Sequence, residues 1–443
     1  MSRSLLERAH QLEELARARG ADAVRVSVTR ARQVAVRWRD GELERLEDQT
    51  RSGAILELFV AGRYALSSTS DLRHDALGRF VDESIALARL LEPDPARGLP
   101  DAAQYPDPAT LARDLDLFDP CQARVTSSDR LEQARSLETC VRDHAGPAPI
   151  ASVTGWVSDA FSEAARVHSN GFEATRATTT FTRGASVHLE QSDGRRPLGI
   201  SHSARRHAVD LRPIDAVAHD ALGRALRRMD SRKLPTHHYT VVVENRAVGR
   251  LLRPLLGPLH GAALQQKASL WDGKLGQPIA DPRLTLIDDP FRPRGFGAAL
   301  WDSDGLVTRR RPILENGVLR TYLIDLYYAR KLGVEPTGGD LHDLEWACGA
   351  GDLTTLAREV GDGVLLDQFI GGNHDATTGE LSVGCSGHRI RAGEVSEPVA
   401  ELNLTANLGD LWKRLTALGG DPDPDSSLHS PSCVLENIQL CGV

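Results

Sequence analysis

No stretch of this sequence approaches the roughly 18 uncharged residues that a bilayer-spanning helix needs, which excludes a helical membrane anchor. The N-terminus, MSRSLLERAHQLEELARARG, carries charges throughout and lacks the apolar core of a signal peptide, so the expectation is a cytoplasmic protein with no membrane partner. Cysteine is sparse. The six residues, at 121, 140, 348, 385, 433 and 441, form no C-x-x-C pair. In a cytosolic chain they read as reduced thiols packed as small apolar groups. Cys385 and His388 have C-x-x-H spacing, but no second ligand pair lies near them and the spacing assigns no metal.

Concentrated positive charge is also missing. The formal net charge is −8 and the basic residues, nearly all Arg, are interspersed with acids, which argues against nucleic acid as a partner. The one basic run, Arg309, Arg310 and Arg311, reads as a solvated turn or strand end. No segment has the G-x-x-x-x-G-K-S/T order of a phosphate loop or a G-x-G-x-x-G between strand and helix, so a nucleotide cofactor has no support. No G-x-S-x-G elbow exists either, and Ser386 in GCSG lacks the second spacing.

What is present is an ordinary globular composition, 41% apolar and 26% charged, in a chain too long at 443 residues for one core. Three regions are expected. Residues 1–100 read as a helix with Leu5, Ala9, Leu12 and Ala16 on one face, three strands (DAVRVSV, QVAVRW, GAILELF) with an Asp40-Gly41 hairpin turn, and a second helix over 71–91. Residues 101–233 read as a helix over 128–144, a Thr-rich antiparallel ribbon turning at Asn170-Gly171, and a helix opened by Pro213. Residues 234–443 alternate a few helices with many short strands and Gly-rich turns. That pattern predicts an α+β fold whose C-terminal domain is largely antiparallel β.

Fifteen histidines prompt a search for a metal site. His237, His238 and His260, with His202 or His207, are candidates for the three ligands of a metallohydrolase. Adjacent residues on a strand point to opposite faces, so His237 and His238 do not both serve one ion if the strand begins there. Asp302 and Asp304 in WDSDG, and Asp288-Asp289 before Pro290, read as turn residues accepting local backbone N–H groups rather than as a catalytic pair.

From YTVVVENRAVGRLLRPLLGPLHGAAL through KLGQPIADPRLTLIDDP and WDSDGLVTRRRPILENGVLRTYLIDLYYARKLGVEPTGG, the chain resembles the TldD/PmbA family. ATTGELSVGCSG, GEVSEPVAELNLTANL, SNGF and the N-terminal VRWRDGELERL extend the likeness over nearly the whole chain. The resemblance implies a heterodimeric zinc peptidase built from a TldD and a TldE subunit, acting on unfolded or ribosomally made, modified peptides. The TldD type carries an H-E-x-x-x-H helix and a later C-G-K segment. Laid onto this chain, that helix falls on Arg253-Pro254-Leu255-Leu256-Gly257-Pro258, and both histidines and the glutamate are absent. A guanidinium offers no lone pair to a cation, and proline has no side-chain donor or base. Two prolines four apart should also bend or shorten the helix.

SVGCSG and the ending SSLHSPSCVLENIQLCG resemble the TldE type, and no C-G-K segment precedes that ending; Cys433 near it reads as structural. The expectation is a chain with no catalytic residue and no cofactor of its own, paired with a zinc-binding TldD-type paralogue. Two alternatives stand beside it: a self-sufficient hydrolase rebuilt from His237 or His238, His260 and Cys385, and a peptide-binding homodimer without hydrolysis. PTGGDLHDLEWACGAGDLTTLAREVGDG departs from the family pattern, and any peptide specificity carried there is not given by the resemblance.

Overall fold

The computed structural model describes residues 2–442. In the first half of the chain, α1 (Ser2–Ala18) precedes β1 (Ala23–Arg39), β2 (Glu42–Val60), β3 (Arg63–Thr69) and α2 (His74–Leu90). A single turn, α3 (Pro108–Leu111), leads to α4 (Ser127–Ala145), β4 (Ile150–His168), β5 (Glu173–Leu189), β6 (Leu198–Arg205) and α5 (Ile214–Leu226). All six strands form one antiparallel sheet in the order β3-β2-β1-β4-β5-β6, so segments 1–100 and 101–233 each give it three strands.

The alternation along β1 explains how one sheet serves two helix pairs. Val24, Val26 and Val28 pack under α1 and α2, and Val36, ten residues on and on the same face, packs under α4 and α5. Arg30 and Arg32 lie between them, exposed where neither pair reaches. DAVRVSV and QVAVRW are therefore one continuous strand rather than two, because the polar TRAR between them interrupts the helix packing and not the ladder. Asp40 and Gly41 turn the hairpin with positive φ at both positions, and Gly171, also at positive φ, turns β4 into β5. Pro213 sits at the N-cap of α5, one residue before the first turn.

The C-terminal region opens with β7 (His237–Val243), α6 (Asn245–Leu256) and α7 (Gly261–Gln265). A small sheet follows, built from β8 (Leu286–Asp289), β9 (Arg311–Glu315) and β10 (Val318–Leu319), then α8 (Leu326–Leu332), β11 (Asp343–Trp346) and α9 (Leu353–Val360). Next come β12 (Gly363–His374), β13 (Glu380–Arg391), β14 (Glu394–Asn407), α10 (Leu408–Leu411), β15 (Leu415–Leu418) and β16 (Cys433–Cys441). These strands run β14-β13-β12-β7-β16-β15, and β14 also pairs with β16, which closes five of them into a ring. Among the named strands of the described residues, only β7 and β12 pair in parallel. The fold is α+β with a C-terminal half dominated by antiparallel strands. No helix among the described residues is long and apolar enough to cross a membrane.

The two halves meet along a polar seam. Arg25 and Arg166 leave the face of the first sheet opposite its helices and reach the loop after Trp301. Arg25 pairs with Glu57 at 3.3 Å and with Asp304 at 3.1 Å, and Arg166 donates to the Ser303 carbonyl at 2.7 Å and the Asp302 carbonyl at 3.3 Å. Asp302 is buried behind this loop, and desolvation with Asp304 nearby pushes its carboxyl up to about 7. His168 is buried on the same seam, its Nδ1 bonded to Tyr105 Oη at 3.0 Å, and burial holds it neutral.

Two outcomes follow from these contacts. Asp159, 2% exposed, receives Arg130 Nη2 at 2.9 Å and Gln122 Nε2 at 2.8 Å, and Arg130 is itself 3% exposed. Replacing Asp159 by Ala strands a buried guanidinium, so chemical denaturation should show a loss of about 3 kcal/mol or more. At Asp302 the folded chain holds a proton over a pH range in which the unfolded chain has lost it, from the ordinary carboxylate value of about 4 up to about 7. Its contribution is therefore complete below pH ~4 and lost as pH rises through ~7. Asp302→Asn, measured against the parent by urea unfolding, should match it near pH 4 and exceed it by an amount on the order of 2 kcal/mol at pH 8.

Candidate functional site

Helix α6 occupies the position where the family resemblance puts a metal-binding helix. Its apolar residues recur at Ala247, Val248, Leu251, Leu252, Leu255 and Leu256, and all are 7% exposed or less in the main C-terminal core. The face left outside carries Arg246, Arg250, Arg253 and Gly257. Arg246 pairs with Asp220 at 2.8 Å and Arg250 donates to the Gly371 carbonyl, while Arg253 has no partner among the described residues. Pro254 and Pro258 are buried. The helix runs on past Pro254 to Leu256 and passes into a 3-10 turn, Gly257–Leu259, that contains Pro258. Pro254 is thus accommodated inside the helix, and Pro258 lies in the turn that follows its end. Near that end the Leu255 carbonyl accepts from Trp271 Nε1 at 3.0 Å, and Ser269 Oγ donates to the Pro258 carbonyl at 2.6 Å.

The histidine and cysteine candidates are scattered. His237 and His238 open β7 on opposite faces, both exposed, and His238 borders a polar cleft with Glu380 and Arg414. His260 follows the 3-10 turn, half-buried, and desolvation lowers its pKa. Cys385 lies in β13 at 3% exposure, where burial pushes the thiol up to about 12 and keeps it protonated. Cys433 is fully buried at the start of β16 with its thiol raised likewise. His202 is exposed on β6, and His207 is buried with Nε2 at 3.0 Å from the Asp116 carbonyl. Among the described residues, no three His, Cys, Asp or Glu side chains converge as a metal ion would require. The donor set at Arg253, Pro254 and Pro258 does not fit zinc, since none of the three side chains offers a lone pair.

Two larger clefts are lined by residues outside α6. One, of about 530 Å³, is lined by Cys385, Ser386, Gln368 and Arg228, so SVGCSG forms a wall. Ser386 Oγ is engaged by Gln368 Oε1 at 3.2 Å, and His388 turns Nε2 to the Arg227 carbonyl at 2.9 Å. Among the described residues, no histidine or carboxylate is hydrogen-bonded to the Ser386 hydroxyl. The other, of about 540 Å³, lies between residues 302–311 and 335–342.

The floor of that second cleft holds side chains whose roles the sequence did not reveal. Asp288, expected in a turn, is instead fully buried in β8, where it accepts His342 Nδ1 at 3.0 Å and the His342 backbone N–H at 2.7 Å. Arg311, expected to be solvated, is held by Asp288 at 3.1 Å and by the Asp340 carbonyl at 2.6 Å. With Nδ1 donating to Asp288, His342 turns an acceptor Nε2 toward the cleft. Asp302 behaves as a turn residue through Oδ1, which accepts the Asp304 and Leu306 N–H groups at 2.9 Å each. The signal that could have flagged His342 was its place in the stretch that departs from the family pattern.

Comparison with known proteins agrees with this architecture. Residues 236–442 match the PmbA/TldA metallopeptidase C-terminal domain and residues 24–88 match PmbA/TldA metallopeptidase domain 1. The chain is 28% identical to Metalloprotease PmbA of Escherichia coli O157:H7 across 95% of this chain and 93% of that one. It superposes on a Bacteroides thetaiotaomicron protein, described as a candidate modulator of DNA gyrase, with a TM-score of 0.94 and 34% identity, covering 99% of this chain and 98% of that one. TldE from Thermococcus kodakarensis shares the fold at a TM-score of 0.86 and 19% identity, with 98% and 100% coverage. These whole-length likenesses lead to one conclusion: the chain belongs to the PmbA/TldD metallopeptidase family, as a member of the PmbA (TldE) type.

Proposed function

We propose that this chain is the non-catalytic subunit of a cytoplasmic two-chain zinc metallopeptidase whose metal and general base belong to a TldD-type paralogue, and that the pair processes unfolded or ribosomally made, modified peptides. One observation carries the reading: where the related helix holds its ligands, this one presents Arg253 and Gly257 outward and packs Pro254 and Pro258 inward. The helix is kept for its apolar face, which fills the C-terminal core, and that role persists without the chemistry.

In this reading the chain supplies surface to a shared chamber. A peptide lying extended along a sheet edge is held mainly by backbone hydrogen bonds and tolerates many sequences. Toward a paralogous partner α6 offers only its arginine edge, since its apolar face is already covered.

Co-expression with a paralogue bearing an H-E-x-x-x-H helix tests the proposal. The expected result is an equimolar complex that cleaves an unfolded peptide while neither chain alone does. Self-association only, with the paralogue fully active by itself, contradicts it.

A further inference from the structure

We propose that the cleft between residues 302–311 and 335–342 binds a primary ammonium group, the amino end of a peptide, on the acceptor pair Asp302 Oδ2 and His342 Nε2. This deepens the proposed function by giving the chain one end of a peptide to hold.

The argument is an inventory of groups that remain unengaged. Asp302 is 6% exposed and His342 7%, yet each leaves one polar atom without a hydrogen bond among the described residues. Neither atom is sealed away from solvent, and both residues line the same cleft. Of the other polar side chains lining the cleft, Gln104 accepts the Asp101 N–H through Oε1 and leaves its neutral Nε2 amide without a partner among the described residues, and the rest are largely committed. Thr308 Oγ1 donates to the Ala299 carbonyl and Thr321 Oγ1 to the Pro312 carbonyl, each at 2.6 Å, Arg310 pairs with Glu345 at 2.5 Å, and Arg311 is held by Asp288. At the rim stand Arg309 and Glu335, both exposed and both unpartnered among the described residues.

The floor thus offers two acceptors and the rim one charge of each sign. A carboxylate has no donor for that floor, and a backbone amide has one N–H. An ammonium has three N–H donors and a positive charge, which is what a desolvated carboxyl lacking a counter-ion calls for. Of the seam cations, Arg25 is spent on Glu57 and Asp304, and Arg166 donates to the Ser303 and Asp302 carbonyls rather than to the Asp302 carboxyl. Arg309 then remains as a donor for a carbonyl further along the same peptide. The cleft volume lies within the range of small-ligand sites.

The test titrates tetra-alanine into the isolated chain by calorimetry near neutral pH, with no partner and no zinc, so the result stands apart from whether the chain pairs with a paralogue. Three further ligands are compared: N-acetyl-tetra-alanine, tetra-alanine amide and n-butylamine. The amide should bind as tetra-alanine does, whereas acetylation should weaken binding by about tenfold or more, the scale of losing hydrogen bonds to a charged group. n-Butylamine should bind more weakly than the peptide. Asp302→Asn keeps the Oδ1 acceptor of both backbone N–H groups and should weaken tetra-alanine about tenfold with the circular dichroism spectrum unchanged. Equal binding of the acetylated peptide, loss on amidation, parity of n-butylamine with the peptide, or no binding of tetra-alanine would each overturn the proposal, whether or not the variant folds.

Discussion

The structure of the C-terminal half depends on the burial of one amphipathic helix. Leu251, Leu252, Leu255 and Leu256 of α6, with Leu259 beyond it, are 3% exposed or less and join the side chains of β7, β12, β13, β14 and β16 in a single core. Truncating any one of them to Ala belongs to the class of core changes that cost about 2–5 kcal/mol. The outward positions take no part in that packing, and Arg253 stands there without a partner among the described residues. A helix can lose every residue needed for hydrolysis and still hold its fold together. Packing of α6 therefore does not require ligand side chains at residues 253–258.

A second dependence runs along the seam between the first sheet and the 302–306 loop. Arg25 and Arg166 are held by carbonyls and carboxylates of that loop, which fixes where Asp302 sits. The same loop forms one wall of the cleft that contains His342. Joining of the two halves and shaping of the cleft are therefore one arrangement of charge. Most polar groups at the seam have partners; among the described residues Asp302 Oδ2, the buried Arg25 Nε and the buried Nε2 of the neutral His168 do not.

Periodic features were legible in the sequence. The faces of α1 and α2, the hairpin turns at Asp40-Gly41 and Asn170-Gly171, and the antiparallel character of the C-terminal half follow from spacing and turn chemistry that act over a few residues. The length of β1 was not legible, because its polar middle is explained by a gap between two helix pairs that come from distant parts of the chain. The Asp288–His342 pair was hidden for the same reason. Its partners are 54 positions apart and are brought together by the β8–β11 register, in which Asp288 faces Leu344. Arg311 looked like part of an exposed basic run and is instead the cation that holds Asp288. Local patterning revealed which segments form elements. It did not reveal which polar residues those elements would bury against each other.

The central claim is chemical: between residues 253 and 258, at the end of α6 and in the turn that follows, no side chain offers a lone pair to a divalent cation. Elemental analysis of the purified chain, isolated from any partner and dialysed against buffer containing zinc, addresses it most directly. The account predicts far less than one zinc per chain, unchanged by substitution of Arg253. One equivalent of zinc, retained through dialysis and located by anomalous diffraction beside α6, would contradict it.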